Sequence, residues 1–205
     1  MSIGHFDGLM DKGTSVMNDG SYVIAVGASA GGLKAIQTLI SELPANLNAP
    51  IVIAVHSVPA SKLAEILQYG SSLPIKTVED GEKLESGQIY VAPGATHVFF
   101  QNGCLKLSDV VTDSGYRPSI DALFMTLAAE YGARSIAVVL SGTLKDGMRG
   151  AQIIYDVGGR TIVQDPDDAK FEDMPKSVIR NDHPEKISTA AELGAWIGRT
   201  AGRSV

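Results

Sequence analysis

The stretch from Tyr22 to Ile36 constrains the fold most, because strand, turn and helix patterns follow one another directly there. Five residues typical of a buried strand, 22–26, run into Gly27-Ala-Ser29-Ala-Gly31-Gly32, and apolar side chains at helical spacing follow. The pattern G-x-S-x-G in this context is typical of a nucleophile elbow, whose glycines permit a sharp turn that exposes the serine hydroxyl. We therefore predict a strand–turn–helix unit with Ser29 as the nucleophile of a serine hydrolase.

A glycine-rich turn between a strand and a helix is also found where a dinucleotide binds. Such a site needs G-x-G-x-x-G, with an acidic residue at the end of the second strand. Here the glycines are Gly27, Gly31 and Gly32, and the second predicted strand, 50–55, ends in His56. The spacing and the missing carboxylate favour the serine nucleophile, and we expect no cofactor.

The composition fits one domain with an ordinary core. A chain of 205 residues that is 44% hydrophobic can bury one sizeable core but hardly two. The net charge of −6 argues against nucleic acid as a partner. The single cysteine excludes an internal disulfide, and four scattered histidines give no metal-ligand spacing, so we expect no metal. No apolar run reaches the length of a membrane span, and we expect a cytoplasmic protein without membrane insertion.

Predicted strands and helices alternate from Tyr22 onward. This alternation predicts an α/β fold, a three-layer α/β/α doubly wound architecture with a mostly parallel sheet. Asn102-Gly103 between two short apolar runs predicts a small antiparallel hairpin over 98–107. Residues 1–20 lack periodicity and are predicted to be a flexible lead-in, and 21–205 form one domain. The other predicted elements are strands at 74–78, 88–92, 135–140 and 160–163, and helices at 33–43, 60–69, 119–130, 148–157, after Met174-Pro175, and at 189–197 behind a Thr189-x-x-Glu192 capping box.

Three chemically competent side chains follow ends of predicted strands. Ser29 follows the first strand, His56 the second, and Asp146 lies in the loop after the 135–140 strand. In an open α/β sheet the site lies outside the carboxyl ends of the strands. A serine needs a base, an imidazole supplies one near neutral pH, and a carboxylate can orient that imidazole. We predict a catalytic triad of these three residues, although His56 could be a structural histidine and Asp146 could simply cap the next helix.

His97 follows another predicted strand end and is expected in the same cleft. We expect it to support the triad or to contact substrate, rather than to act as the base. Gly31 and Gly142, in the two loops that flank the cleft, are expected to do the same.

A larger set of motifs occurs together in the order of one known family. The combination resembles the catalytic domain of the chemotaxis protein-glutamate methylesterases, the CheB family, over roughly residues 22–200. The motifs are Gly27-Ala-Ser29-Ala-Gly-Gly32, Val55-His56, Val91-Ala-Pro-Gly94 with His97, Arg117-Pro-Ser-Ile-Asp121, Ser141-Gly-Thr-Leu-Lys-Asp146-Gly147, Gln164-Asp-Pro and Met174-Pro175.

The resemblance implies hydrolysis of glutamate γ-methyl esters on the cytoplasmic helices of chemoreceptors, with release of methanol through an acyl-enzyme. Ser29 matches the family nucleophile, His56 the general base and Asp146 the acid. The implied oxyanion hole consists of the backbone N–H groups of Ala30 and Thr143. A methylated receptor or a similar signalling protein is the implied partner.

The chain departs from the family pattern in three places. Ala30 stands where many members have threonine, and Gly142-Thr143-Leu144 where many have Gly-Met-Gly. Only 20 residues precede the predicted domain, too few for the family's phospho-receiver domain, so we expect either constitutive activity or a separate regulatory partner. Two alternatives stay open: a receptor glutamine deamidase or other esterase, since one triad serves all acyl transfers, and a non-catalytic signalling module of the same fold.

Overall fold

The computed structural model describes residues 20–56, 62–110 and 115–202. The strands are β1 (Val23–Ala28), β2 (Ile51–Val55), β3 (Ile75–Thr77), β4 (Glu82–Lys83), β5 (Ile89–Val91), β6 (His97–Gln101), β7 (Cys104–Ser108), β8 (Ser135–Val139), β9 (Arg160–Gln164) and β10 (Lys186–Ser188). The helices are α1 (Gly32–Ser41), α2 (Leu63–Gln68), α3 (Ile120–Tyr131), α4 (Met148–Asp156), α5 (Asp173–Asn181) and α6 (Ala190–Ala201).

Seven strands form a parallel sheet with β1 in the middle. Their order is β10-β9-β8-β1-β2-β5-β3. The strands β2, β3 and β5 thus lie on one side of β1, and the later strands β8, β9 and β10 lie on the other. All pairs in this sheet are parallel, which brings the carboxyl ends of β1, β2 and β8 to one edge. This reversal of strand order beside β1 creates the crevice in which α/β proteins place their sites.

Helices cover both faces of the sheet. Alternate residues of a strand point to opposite faces, so Ile24 and Val26 enter one core while Val23 and Ala25 enter the other. Buried side chains of α1, α2 and α6 pack in the first core, and those of α3, α4 and α5 pack in the second. The predicted three-layer α/β fold with a mostly parallel sheet is confirmed.

The predicted hairpin is β6 and β7, which pair antiparallel around Asn102-Gly103. Asn102 and Gly103 have φ values of 52° and 70°, the left-handed pair that a tight hairpin turn requires. The two-residue strand β4 adds to β7, so the hairpin belongs to a three-stranded sheet. Sequence patterning missed β4 and the edge strand β10, because their sequences, Glu-Lys and Lys-Ile-Ser, contain no apolar run.

Several predicted helix boundaries shift. The helix expected after Met174-Pro175 instead begins at Asp173, with Pro175 in its first turn, where a proline costs no hydrogen bond. The helix predicted at 60–69 is the shorter α2, and 57–61 lie outside the described residues, as does most of the predicted lead-in. Thr189 and Glu192 form the predicted capping box of α6. Of the helices described, none has the length and apolar character that crossing a bilayer requires.

Candidate active site

Ser29 occupies the tight turn between β1 and α1. Its carbonyl accepts the N–H of Gly32 at 3.0 Å, and its own N–H donates to the Ser141 carbonyl at 3.0 Å. Gly31 has φ +73°, and a Cβ there would lie 2.8 Å from the Ser141 Oγ and 2.9 Å from the Lys170 Cβ. A side chain at position 31 is thus opposed both by backbone conformation and by space. The turn that presents Ser29 is held against the loops that follow β8 and β9.

His56 lies beside Ser29 because their strands are neighbours in register. Ala28 pairs with Val55, and the His56 N–H continues the ladder by donating to the Ala28 carbonyl at 3.2 Å. Ser29, the residue that follows β1, therefore lies beside His56, the residue that follows β2. His56 Nδ1 lies 3.1 Å from Ser29 Oγ.

Asp146 reaches the other side of the same imidazole ring. His56 Nε2 lies 2.8 Å from Asp146 Oδ2, and the Asp146 side chain is fully buried while the His56 side chain is 13% exposed. The three residues predicted from separate strand ends thus form one hydrogen-bonded chain. The arrangement suits the tautomer in which Nε2–H donates to Asp146, leaving Nδ1 free to accept the Ser29 hydroxyl proton.

The Asp146 carboxylate lies at the N-terminus of α3 and not at that of α4. Oδ2 accepts the Ile120 N–H at 2.8 Å, and Oδ1 accepts the Asp121 N–H at 3.0 Å. The alternative that Asp146 caps the helix following it is therefore wrong, since α4 has Gly147 at its N-cap with no side-chain cap. Burial opposes ionisation, but the hydrogen bonds from His56 and from the α3 backbone outweigh it and lower the pKa of Asp146.

The backbone groups expected to form the oxyanion hole remain unused. In the part of the chain that the structure describes, the N–H groups of Ala30 and Thr143 donate to no carbonyl or side chain. The Gly142 N–H is unavailable, because it donates to the Phe171 carbonyl at 3.0 Å. The role of the two N–H groups as oxyanion donors stays a prediction.

Gly142 brings its loop into direct contact with the nucleophile. A Cβ at this position would lie 2.9 Å from the Ser29 Cβ and would also overlap the buried Met174 Sδ. A glycine is therefore required for the loop after β8 to approach the Ser29 turn.

Ser141 links the two loops through its side chain. Its hydroxyl donates to the Ala30 carbonyl at 2.9 Å and accepts the Phe171 N–H at 3.0 Å. The buried Gln164 side chain accepts the Ser141 N–H at 2.8 Å. Sequence reasoning identified Ser141 and Gln164 as motif members without a role, and the contacts show that they fix the backbone around Ser29.

His97 is the first residue of β6 and is only 1% exposed. Its Nδ1 accepts the N–H of Ser119, the N-cap residue of α3, at 3.1 Å. Burial lowers the pKa of His97, and the Arg117 guanidinium adds to this effect. The structure therefore places a neutral His97 against the helix end that holds Asp146.

Tyr116 is a site residue that sequence reasoning missed. Its ring stacks on the His56 imidazole with centroids 4.4 Å apart and planes within 7° of parallel. No local sequence pattern marks this contact, since it depends on how the segment before α3 crosses the end of β2.

Within residues 20–56, 62–110 and 115–202, no three His, Cys, Asp or Glu side chains are grouped as a metal centre requires.

Comparisons with known proteins identify the family of the chain and match its fold. A sequence model of the family described as CheB methylesterase matches residues 24–197. The catalytic domain of the Thermotoga maritima CheB methylesterase has a similar structure, with a TM-score of 0.83 and 32% identity over 87% of this chain and 98% of that one.

Two curated relatives carry the name protein-glutamate methylesterase/protein-glutamine glutaminase. Protein 4 of that name from Myxococcus xanthus is 36% identical over 176 residues, which are 84% of this chain and 50% of the relative. The Thermotoga maritima protein is 35% identical over 179 residues, 83% of this chain and 52% of the relative. The chain spans about half the length of these relatives.

Proposed function

The chain belongs to the CheB methylesterase family, and from that premise we propose that it hydrolyses glutamate γ-methyl esters on a signalling protein. The observation that carries the proposal is the continuous chain of contacts from Ser29 Oγ through both ring nitrogens of His56 to Asp146. An isolated serine is a weak nucleophile at neutral pH. These contacts supply His56 as a base for the serine and Asp146 as the acid that orients the imidazole.

The proposed reaction has two acyl-transfer steps. In the first, Ser29 Oγ attacks the ester carbonyl while His56 Nδ1 takes the hydroxyl proton, and Asp146 stabilises the resulting imidazolium. The tetrahedral oxyanion accepts hydrogen bonds from the Ala30 and Thr143 N–H groups, each worth about 2.7–4 kcal/mol in comparable sites.

Collapse of this intermediate breaks the ester bond, and Nδ1 returns its proton to the departing methoxide. Methanol leaves, and an acyl-enzyme remains. In the second step His56 Nδ1 takes a proton from water, which attacks the acyl carbon. Collapse of this second intermediate breaks the bond between the acyl carbon and Ser29 Oγ, and Nδ1 gives its proton back to that oxygen. The glutamate carboxylate leaves, and Ser29 is free for another cycle.

The proposed substrate is a methylated cytoplasmic receptor helix or a similar signalling segment. Glutamine deamidation at the same site is a second candidate, because the curated relatives are named for both activities. The two reactions share the acyl-enzyme and differ in the leaving group, methanol or ammonia.

The test is the Ser29→Ala variant, with Ser41→Ala as a matched control. Ser41 is exposed at the end of α1, and its hydroxyl donates to the Thr38 carbonyl at 2.8 Å. The wild type and Ser41→Ala should release methanol from methylated receptor and react with a sulfonyl fluoride, whereas Ser29→Ala should do neither. Unchanged demethylation in Ser29→Ala would refute the proposal, and ammonia release without methanol would assign the deamidase activity instead.

A further inference from the structure

Helices α3 and α4 begin side by side. A carboxylate at the start of each helix accepts backbone N–H groups at the start of the other. Asp146, just before α4, accepts the N–H groups of Ile120 and Asp121 in the first turn of α3. In return, Asp121 Oδ1 accepts the N–H groups of Gly147 and Gly150 at the start of α4, both at 2.9 Å. Each helix N-terminus is thus capped by the carboxylate at the start of the other helix.

The exchange depends on the close approach of the two helices. A Cβ at Gly150 would lie 2.6 Å from the Phe124 Cβ and 2.9 Å from the Asp121 carbonyl oxygen. Gly147 has φ +99° and no side chain with which to cap its own helix. The N–H groups of Gly147 and Gly150 therefore have Asp121 as their partner, and the path of the chain immediately after Asp146 is set by that contact.

The hydrogen bonds of the two carboxylates separate their roles, and the surrounding charges act on both. Burial raises the pKa of Asp121, the nearby Asp146 carboxylate adds to this effect, and the N–H groups of α4 oppose it. The positive ends of two helix dipoles face these carboxylates, which offsets their mutual repulsion. Asp121 itself makes its side-chain hydrogen bonds to α4, and His56 makes its carboxylate contact with Asp146.

We propose that Asp121 is a positioning residue that, by anchoring the start of α4 to α3, holds the Asp146 carboxylate where it accepts His56 Nε2–H. The inference rests on the proposed function, since it requires that His56 act as the base for Ser29. In this role the geometry of Asp121 matters and its charge does not. Oδ1 must lie as far from the α3 backbone as an aspartate side chain places it.

Three substitutions separate geometry from charge. Asp121→Asn keeps the Oδ1 acceptor and the side-chain length but loses the charge, and both N–H bonds can persist. Asp121→Glu keeps the charge and adds one methylene, which displaces the first turn of α4. Asp121→Ala removes both bonds. Thr189→Ala, which removes the cap of α6 away from the site, controls for the general cost of losing a helix cap.

The measurements are the rate at which a sulfonyl fluoride labels Ser29, and kcat and KM for methanol release, with folding followed by thermal unfolding. Displacement of a catalytic group by about 1 Å costs about 10²-fold, so Asp121→Ala and Asp121→Glu should lose about that factor in labelling rate and kcat at unchanged KM. Asp121→Asn should retain most of both, and Thr189→Ala should lose stability without losing rate.

Each outcome decides the question. Wild-type labelling rates in Asp121→Glu, or a loss in Asp121→Asn as large as that in Asp121→Glu, would overturn the geometric role. An equal loss of rate in Thr189→Ala would do the same. The labelling rate measures the activation of Ser29 whatever the natural substrate is. Failure to demethylate a receptor would therefore refute the proposed function but would leave the positioning role of Asp121 testable by labelling. If Asp121→Ala does not fold, the Asn and Glu variants alone give the comparison.

Discussion

Replacing Asp146 with asparagine would test how the site depends on one buried carboxylate. In the wild type, Oδ2 accepts both His56 Nε2–H and the Ile120 N–H, while Oδ1 accepts the Asp121 N–H. Asparagine is nearly the same shape but offers one acceptor oxygen and one NH₂ group. In either orientation its NH₂ therefore faces a backbone N–H that has lost its acceptor.

The two orientations have different consequences for His56. With the oxygen at the Oδ2 position, the bonds to His56 and Ile120 persist, but the Asp121 N–H loses its acceptor, at a cost of about 1–3 kcal/mol of stability. The Ser119 hydroxyl, which lies 3.5 Å from Oδ1 in the wild type, then faces the NH₂ group. With the NH₂ there, the amide donates to Nε2, and the ring proton moves to Nδ1, where it blocks the acceptance of the Ser29 proton. Both orientations lose the charge that stabilises the imidazolium, so we expect kcat to fall by about 10⁴, or about 5.4 kcal/mol of barrier.

The assay compares kcat for methanol release and the rate of sulfonyl fluoride labelling in wild type, Asp146→Asn and a control, Asp167→Asn. Asp167 is exposed on the loop after β9, so its variant should keep both rates and the wild-type unfolding temperature. Asp146→Asn should remain folded at 25 °C but lose the rates. A folded Asp146→Asn protein that retains more than about a tenth of the wild-type kcat would refute the triad mechanism, because no other described carboxylate bonds to His56.

Two further predictions concern the groups around this pair. Tyr116→Leu should lower kcat by roughly 2- to 30-fold, since an aromatic face stabilises a cation by about 0.5–2 kcal/mol, while Tyr116→Phe keeps the ring stacked on His56 and should keep the rate; equal losses in both variants would exclude the stacking role. The lowered pKa of Asp146 stabilises the fold at pH values above the ordinary 3.8, and this contribution is lost as the pH falls through the folded-state pKa. Thermal unfolding across this range should show a steeper acid loss in wild type than in Asp146→Asn, and parallel curves would contradict it.

Most of the fold can be predicted from local patterns in the sequence. The turn at Ser29, the hairpin at Asn102-Gly103 and the capping box at Thr189 each depend on a few adjacent residues, and all three lie where the sequence predicts. The parallel sheet follows from the alternation of buried strands with amphipathic helices. The strands β4 and β10 could not be predicted this way, because they contain no apolar run and only their partner strands in the sheet define them.

The order of Ser29, His56 and Asp146 after three strands was sufficient to predict that they meet, since parallel strands end at one edge of the sheet. Sequence alone determined this gathering of side chains. Only the tertiary structure decided how it is held: Asp146 at the N-terminus of α3, Asp121 across to α4, and Tyr116 stacked on His56. These contacts join residues 25 or more positions apart, and the packing distance between whole elements sets them. Local periodicity specifies which face of an element is buried, but not which helix end will meet a given carboxylate.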